Sequence, residues 1–295
     1  MTLERKLSNW TSPSSDAEQE KQERTERMVR AAVADHSPFA TCQLRVYAKG
    51  SYPNNTNVRA DSDVDIAVEC TEVEYWDEAA PGAAGGGSGS PYVGGWTPDR
   101  LRAELLAALT RKFPGDVDSS GSTAILVQSS SARVDSDVVP CFTYRYYLSP
   151  DSSRIGTRIF RKDGGQIDNF PEQQLSLGRV KNLRTQYAYK KTVRILKRIE
   201  NAMRTTGEFR ALPSYFVECL TYNCPDSVFL AATWTDTVRG VLSHVWESLQ
   251  GDEPVHEASR WVEVNECFYL FHPAQAWTRA DGRDFAQAAW AHLGL

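Results

Sequence analysis

The stretch KGSYPNNTNVRADSDVDIAV, residues 49–68, sets Asp61, Asp63 and Asp65 at alternate positions immediately before an apolar run. On a strand, alternate side chains share a face, so Asp63 and Asp65 point together while Val64 and Ile66 turn into a core. Two carboxylates held that close repel, and one takes up a proton unless a cation sits between them. Magnesium suits such a place, because it accepts carboxylate and phosphate oxygens and tolerates water as its remaining ligands. Two-metal phosphoryl transfer also wants a third carboxylate, which ARVDSDVVP, residues 132–140, offers on a neighbouring strand. Asp135 and Asp137 share a face by parity there, and Asp137, followed by Val138, Val139 and Pro140, is the better candidate for burial. Its expected role is to bind the metal that activates an attacking hydroxyl and to help draw off the proton.

Gly50-Ser51 fits the remaining requirement. Glycine lets backbone approach a phosphate closely, and the serine hydroxyl with nearby N–H groups binds its oxygens. Taken singly, a D-x-D is often a solvated turn, and Gly-Ser pairs are common. A strand, Gly-Ser, D-x-D twelve residues later and a further strand carrying D-V-V-P form a far more specific combination.

The elements that must hold these residues follow from the patterning. Residues 1–15 are rich in Ser, Thr and Pro and read as disordered. Residues 16–35, with Asp16 as a cap, read as a helix long enough to serve as a spine. QLRVYA (43–48) and VDIAVEC (64–70) read as strands, TPDRLRAELLAALTRKF as a helix over about 98–112, and TAILVQ (123–128) and ARVDSDVVPCF (132–142) as further strands. The Gly/Ser-rich stretch 81–96 reads as a surface insertion. From about residue 180 the pattern turns helical: Tyr189, Val193, Leu196, Ile199 and Met203 form one stripe, and LPSYFVECL, TDTVRGVLSHVWESL and ADGRDFAQAAWAHL supply further helices. Lys190, Arg194 and Lys197 form a basic stripe beside the apolar one, for which a solvated face is the ordinary reading.

Composition limits the function classes. The chain has 295 residues with 41% hydrophobic and 24% charged residues, enough for one large domain or two ordinary ones. No apolar run approaches the ~20 residues of a membrane span, and the polar N-terminus lacks a signal-peptide core, which points to the cytoplasm. Cys42, Cys70, Cys141, Cys219, Cys224 and Cys267 show no C-x-x-C spacing and read as reduced. A net charge of −5 argues against a surface that holds nucleic acid through phosphate neutralisation alone. His36, His244, His256, His272 and His292 are dispersed and read as surface or packing residues.

The pattern GSYPNNT, SDVDIAV and VDSDVVP resembles the active-site motif of the polymerase-β-like nucleotidyltransferases, and more narrowly the bacterial cGAS/DncV-like nucleotidyltransferases (CD-NTases), with the helical half included in the likeness. The resemblance implies an α+β fold: a mixed-sheet nucleotidyltransferase core over 16–180 with its spine helix, a helical lobe over 181–295, and a cleft between the lobes. It implies Asp63, Asp65 and Asp137 as catalytic metal ligands for two Mg²⁺ ions, with Mn²⁺ as a substitute. Gly50 and Ser51, with Lys197 in VRILKRI and Ser214 in LPSYFVE, become the contacts to the donor triphosphate. The implied reaction condenses NTPs into a cyclic di- or trinucleotide signal for anti-phage (CBASS-type) defence. A downstream effector would sense the product, and a partner would regulate the enzyme or conjugate its C-terminus. No zinc-binding insertion like that of the animal DNA sensor is visible, so nucleic-acid activation is not expected.

Tyr52, directly after Gly-Ser, is a candidate for stacking on a base. The same chemistry with another acceptor (a linear oligonucleotide, a small molecule, a protein or RNA) is the first alternative. A catalytically inert nucleotide-binding regulator is the second, and it sits poorly with the retention of three mutually repelling carboxylates.

Overall fold

A computed structural model of the chain describes residues 1–58, 63–85 and 92–295. Its contacts divide it into two compact units. The first to be described comprises Ser15–Pro53 and Arg59–Pro171, the second Met1–Ser14, Asn54–Val58 and Glu172–Leu295.

The sheet unit opens with the long helix α2 (Asp16–Ala34), whose Ser15 and Glu18 form a reciprocal capping box. Strands β1 (Leu44–Lys49) and β2 (Val64–Glu78) are antiparallel, and β2 then pairs in parallel with β5 (Ser136–Ser149). Helix α3 (Pro98–Lys112) and the short strands β3 (Val117–Asp118) and β4 (Ile125–Val127) lie between β2 and β5 in sequence. The strand order is β1-β2-β5-β4-β3, with β6 (Ser152–Phe160) pairing the later half of β5 and β7 (Gln166–Asn169) completing a seven-stranded mixed sheet. Alternation along the two central strands divides the faces. Val64, Ile66, Val68, Val138 and Phe142 pack beneath Val29, Val33, Leu101 and Leu105 of α2 and α3. Ala67, Val139, Cys141 and Ile159 form a smaller cluster of their own. By parity, Asp65 and Asp137 belong to this second face, away from the helices.

In the helical unit, α1 (Leu3–Asn9) precedes α4 (Pro171–Arg184), α5 (Ala188–Thr206), α6 (Ser214–Tyr222), α7 (Trp234–Ser248) and α8 (Arg279–Leu293). Tyr189, Val193, Leu196, Ile199 and Met203 of α5 are sealed in one core with Phe216, Leu220, Val241, Leu242 and Phe285.

The structure departs from the sequence reading in several places. Residues 1–15, expected to be disordered, carry α1, because Leu7 is fully buried in the helical core and the Glu4 carboxylate accepts the N–H groups of Trp234 and Thr235 at the start of α7. The helical unit takes up at Glu172, before residue 180. Strand β2 runs on to Glu78 past an irregularity between Cys70 and Glu74, and β5 starts only at Ser136, so Asp135 stands outside the strand and parity does not govern it. Of the Gly-rich stretch 81–96, residues 86–91 lie outside the described residues, while Trp96 is buried beneath Phe39.

Candidate active site

Register brings the acidic residues together. Asp65 pairs with Lys49 across the antiparallel β1/β2 ladder and with Asp137 across the parallel β2/β5 ladder. Same-face neighbours on paired strands have Cβ atoms roughly 5 Å apart, so the two carboxylates are adjacent without any loop having to bring them there. Asp63 lies just before β2 and is exposed. Among the described residues no three acidic, His or Cys side chains close into a finished metal cage. The strands preset the Asp65–Asp137 pair, and Asp63 flanks it.

The electrostatics match that placement. Burial lifts the Asp65 carboxyl above its usual range, Lys49 pulls it back, and Asp137 and then Asp63 push it up again. For Asp137 burial is again the largest influence, with Lys49 lowering and Asp135 raising the pKa. A half-buried acid pair lifted above the usual carboxylate range fits a divalent cation bound through oxygen. The backbone beside it fits too. Gly50 has φ +75°, which a side chain adopts only under strain, and a Cβ there would overlap Oδ2 of Asp65. Glycine is therefore required at the point where the Gly-Ser turn passes over the carboxylate.

Asp135 takes a different role. Its carboxylate accepts the N–H of Ser129 and its carbonyl oxygen accepts the N–H of Val64, so it fixes the entrances of β5 and β2. Asp61 lies outside the described residues. Tyr52, a stacking candidate, packs into the core shared with α2, where burial and then Glu23 and Glu26 raise its pKa.

In the helical unit, Asn54–Val58, the distal part of the Gly-Ser loop, is embedded among helices. Thr56 is fully buried, and its hydroxyl donates to Oε2 of Glu218 at 2.8 Å. Lys197 Nζ forms an ion pair with the same Oε2 at 2.9 Å and reaches Thr56 Oγ1 at 3.4 Å. Arg194 donates to the carbonyl oxygens of Thr11, at 2.7 Å, and of Asn55, which holds a left-handed φ of 54°. The basic stripe of α5, ordinarily a solvated face, is turned inward: Lys190, Arg194 and Lys197 are all buried. Ser214 is exposed and forms the first residue of α6.

Glu218 and Lys49 were not singled out from the sequence. An acid in the otherwise apolar turn SYFVECL was the signal for the first, and a lysine directly before Gly-Ser was the signal for the second.

Comparison with known proteins agrees with this geometry. Residues 176–294 match the C-terminal helical domain of cGAS/DncV-like nucleotidyltransferases. A cyclic dipyrimidine nucleotide synthase, CdnE, of Legionella pneumophila is 34% identical over 98% of this chain and 97% of its own. The chain belongs to the cGAS/DncV-like nucleotidyltransferases. A cyclic dipurine nucleotide synthase of Elizabethkingia meningoseptica is 31% identical over 99% of this chain and 98% of its own. The solved structure of the E. meningoseptica CdnE cyclic dinucleotide synthase with GTP and Apcpp superposes with a TM-score of 0.81 at 30% identity, covering 99% of both chains. The α+β fold with a mixed sheet is thus that of the family, and this CD-NTase carries the family's nucleotidyltransferase chemistry class. Among the described residues no helix is long and apolar enough to cross a membrane.

Proposed function

We propose that the chain condenses nucleoside triphosphates into a cyclic di- or trinucleotide, with Asp63, Asp65 and Asp137 as its catalytic metal ligands. The observation that carries this reading is the direct pairing of Asp65 with Asp137 beneath a glycine that no other residue can replace without overlap. Two Mg²⁺ ions, or Mn²⁺ in their place, would be held by these three carboxylates and would supply Lewis-acid activation of the hydroxyl and neutralise charge on the leaving group.

The chain's own residues do the rest. Gly50 and Ser51 present backbone and hydroxyl to phosphate oxygens of the donor, and Ser214, at a helix N-terminus, offers a further hydroxyl and amide groups. Lys197 joins this set through Thr56, which it holds together with Glu218 at the far end of the same loop. The acceptor ribose hydroxyl forms a new bond to the α-phosphorus while the bond to the β-phosphate oxygen breaks and pyrophosphate leaves. Asp137 takes up the hydroxyl proton. A second transfer closes the ring.

The base pair used is left open by relatives that differ between dipyrimidine and dipurine products. Signalling to an effector in anti-phage defence, and control or C-terminal conjugation by a partner, follow from the same kinship and belong to this proposal, as does action in the cytoplasm. The test is incubation with all four NTPs and Mg²⁺ or Mn²⁺, followed by mass spectrometry of phosphatase-resistant products. A cyclic product from the wild type, absent from the Asp63→Asn/Asp65→Asn variant, is expected. An equally productive double variant would refute the assignment.

A further inference from the structure

Most tryptophans of the helical unit serve its core. Trp261 belongs to that core, and Trp10, Trp234, Trp277 and Trp290 pack against it. Trp246, on α7, does neither and is 44% exposed. A lone exposed apolar side chain is ordinary. One that shares a hollow with a second indole is a different matter, because the pair offers two aromatic surfaces to whatever enters.

Helices α7 and α8 make that hollow. At Gly282 they approach closely, since a Cβ there would overlap Leu249 Cδ1 at 2.6 Å. Farther along α8 a cavity of about 320 Å³ opens between them, a size that suits a small molecule. Leu242 and Ala286, each 1% exposed, give it an apolar floor, and Trp246 and Trp290 line it with them. Its polar groups are the Ser243 hydroxyl, the Glu247 carboxylate and the Gln287 amide. None of these three, and neither indole N–H, has a hydrogen-bond or ion-pair partner among the described residues.

Water reaches these groups, so none calls for a partner; what they set is the kind of ligand the hollow accepts. Glu247 is the charged residue among those lining it, while Arg239 and Arg283, nearby on the two helices, pair with Asp236 and Asp284. A carboxylate without a lining cation repels phosphate, which disfavours nucleotides. Indole faces attract a cation through the ring quadrupole, and they do so best when the cation sheds its water easily, as a methylated ammonium does. We propose that the hollow between α7 and α8 binds a small organic cation of the quaternary-ammonium class, seated on Trp246 and Trp290 with Glu247 as its counter-charge. No residue assigned to the reaction above lines it, so the site stands or falls apart from that reaction.

The test follows the indole N–H signals of the full chain, labelled with ¹⁵N at tryptophan, by NMR. The protein is titrated with benzyltrimethylammonium, with choline, and with 3,3-dimethylbutan-1-ol, the uncharged isostere of choline. Trp246→Phe and Trp290→Phe identify the two signals concerned. Both cations should shift those two signals saturably, while the alcohol binds about threefold or more weakly than choline. Glu247→Gln, a change at an exposed position, should weaken both cations by a similar factor and leave the alcohol unaffected. Trp246→Ala should abolish the saturable shift of the Trp290 signal with the melting temperature of the free protein unchanged, because Trp246 does not pack against the core. Absence of saturable shifts with both cations overturns the assignment. So does equal affinity for choline and the alcohol, which would make the hollow merely apolar, or displacement of the cation by ATP, which would make it a nucleotide site. Wild-type affinity in Trp246→Ala, with a lowered melting temperature, would show that this tryptophan serves the fold and would refute the site as well.

Discussion

Replacing Lys197 by methionine should destabilise the protein far more than loss of an ordinary ion pair. Its side chain is 2% exposed, that of its partner Glu218 is 3% exposed, and the two meet at 2.9 Å. Exposed pairs contribute about 0–1 kcal/mol, whereas removing one member of a sealed pair leaves an uncompensated charge and costs about 3–5 kcal/mol. For a chain of this size that corresponds to a fall in Tm of very roughly 6–20 °C. Removing both charges, as Lys197→Met/Glu218→Met, should recover most of the loss but still orphan the buried Thr56 hydroxyl, which donates to Glu218 at 2.8 Å. That residue of instability is about 1–3 kcal/mol, and adding Thr56→Val should remove it. Urea denaturation followed by far-UV circular dichroism measures these three variants and the Glu218→Met single, and yields the coupling energy. A Lys197→Met cost under about 1 kcal/mol, or a double variant worse than the sum of its singles, would refute the picture of a sealed pair. The triple variant, if it folds, also isolates what the Lys197 charge contributes to synthesis apart from stability.

Other consequences can be tested alongside it. Gly50→Ala combines a left-handed φ of +75° with overlap of Asp65 Oδ2, and should cost about 1–3 kcal/mol of stability and abolish detectable synthesis, read by urea titration and product assay. Asp135→Ala removes an acceptor for Ser129 N–H but not a member of the paired carboxylates; it should cost about 1–3 kcal/mol while synthesis stays within a few-fold of wild type, and a loss comparable to that of Asp137→Asn would move the third ligand to Asp135. Burial holds the Asp65 and Asp137 carboxyls above the ordinary range, so the native state binds more protons than the unfolded chain between the ordinary and the raised values. Their contribution to stability without divalent metal is complete below the ordinary carboxylate pKa of about 4 and is lost as pH rises through the raised values. Asp65→Asn/Asp137→Asn should flatten that decline in Tm against pH, and an unchanged slope would show that the pair is not its source.

The strands that carry Asp65 and Asp137 were legible because a period of two and a buried apolar run fix both face and register. Once Val64, Ile66 and Val138 had to face a core, Asp65 and Asp137 had to face away from it. The edges were less legible. Asp135 obeys the same alternation on paper, yet a hydrogen bond to Ser129 holds it in the preceding loop, and nothing local in VDSDV distinguishes the last loop residue from the first strand residue. Helix α1 was missed because its burial rests largely on one residue, Leu7, and on a carboxylate that caps a helix more than two hundred residues away. Such long-range partners leave no periodic signal. The inward turn of the basic stripe left no local signal for the same reason: Glu218, which pairs with Lys197, comes from a different helix.

Charge satisfaction separates structural from functional groups here better than motif position does. Lys197 matches the family's expected triphosphate contact, but the chain itself supplies its counter-ion. Lys190, on the same helix, forms no ion pair among the described residues, and Glu218 acts on it only from a distance. In the sheet unit Asp65 and Asp137 share one nearby cation among the described residues, Lys49. A protein that retained these charges for folding alone would be expected to have matched them internally, as it matched Arg158 with two aspartates. Adjacent carboxylates with one lysine beside them are a deficit that a divalent metal would fill. If that reasoning holds, Asp65→Asn/Asp137→Asn should be no less stable than the wild type in metal-free buffer, and should lose the stabilisation that Mg²⁺ with ATP gives the wild type. A double variant that melts lower than the wild type without ligand would show that these charges serve the fold.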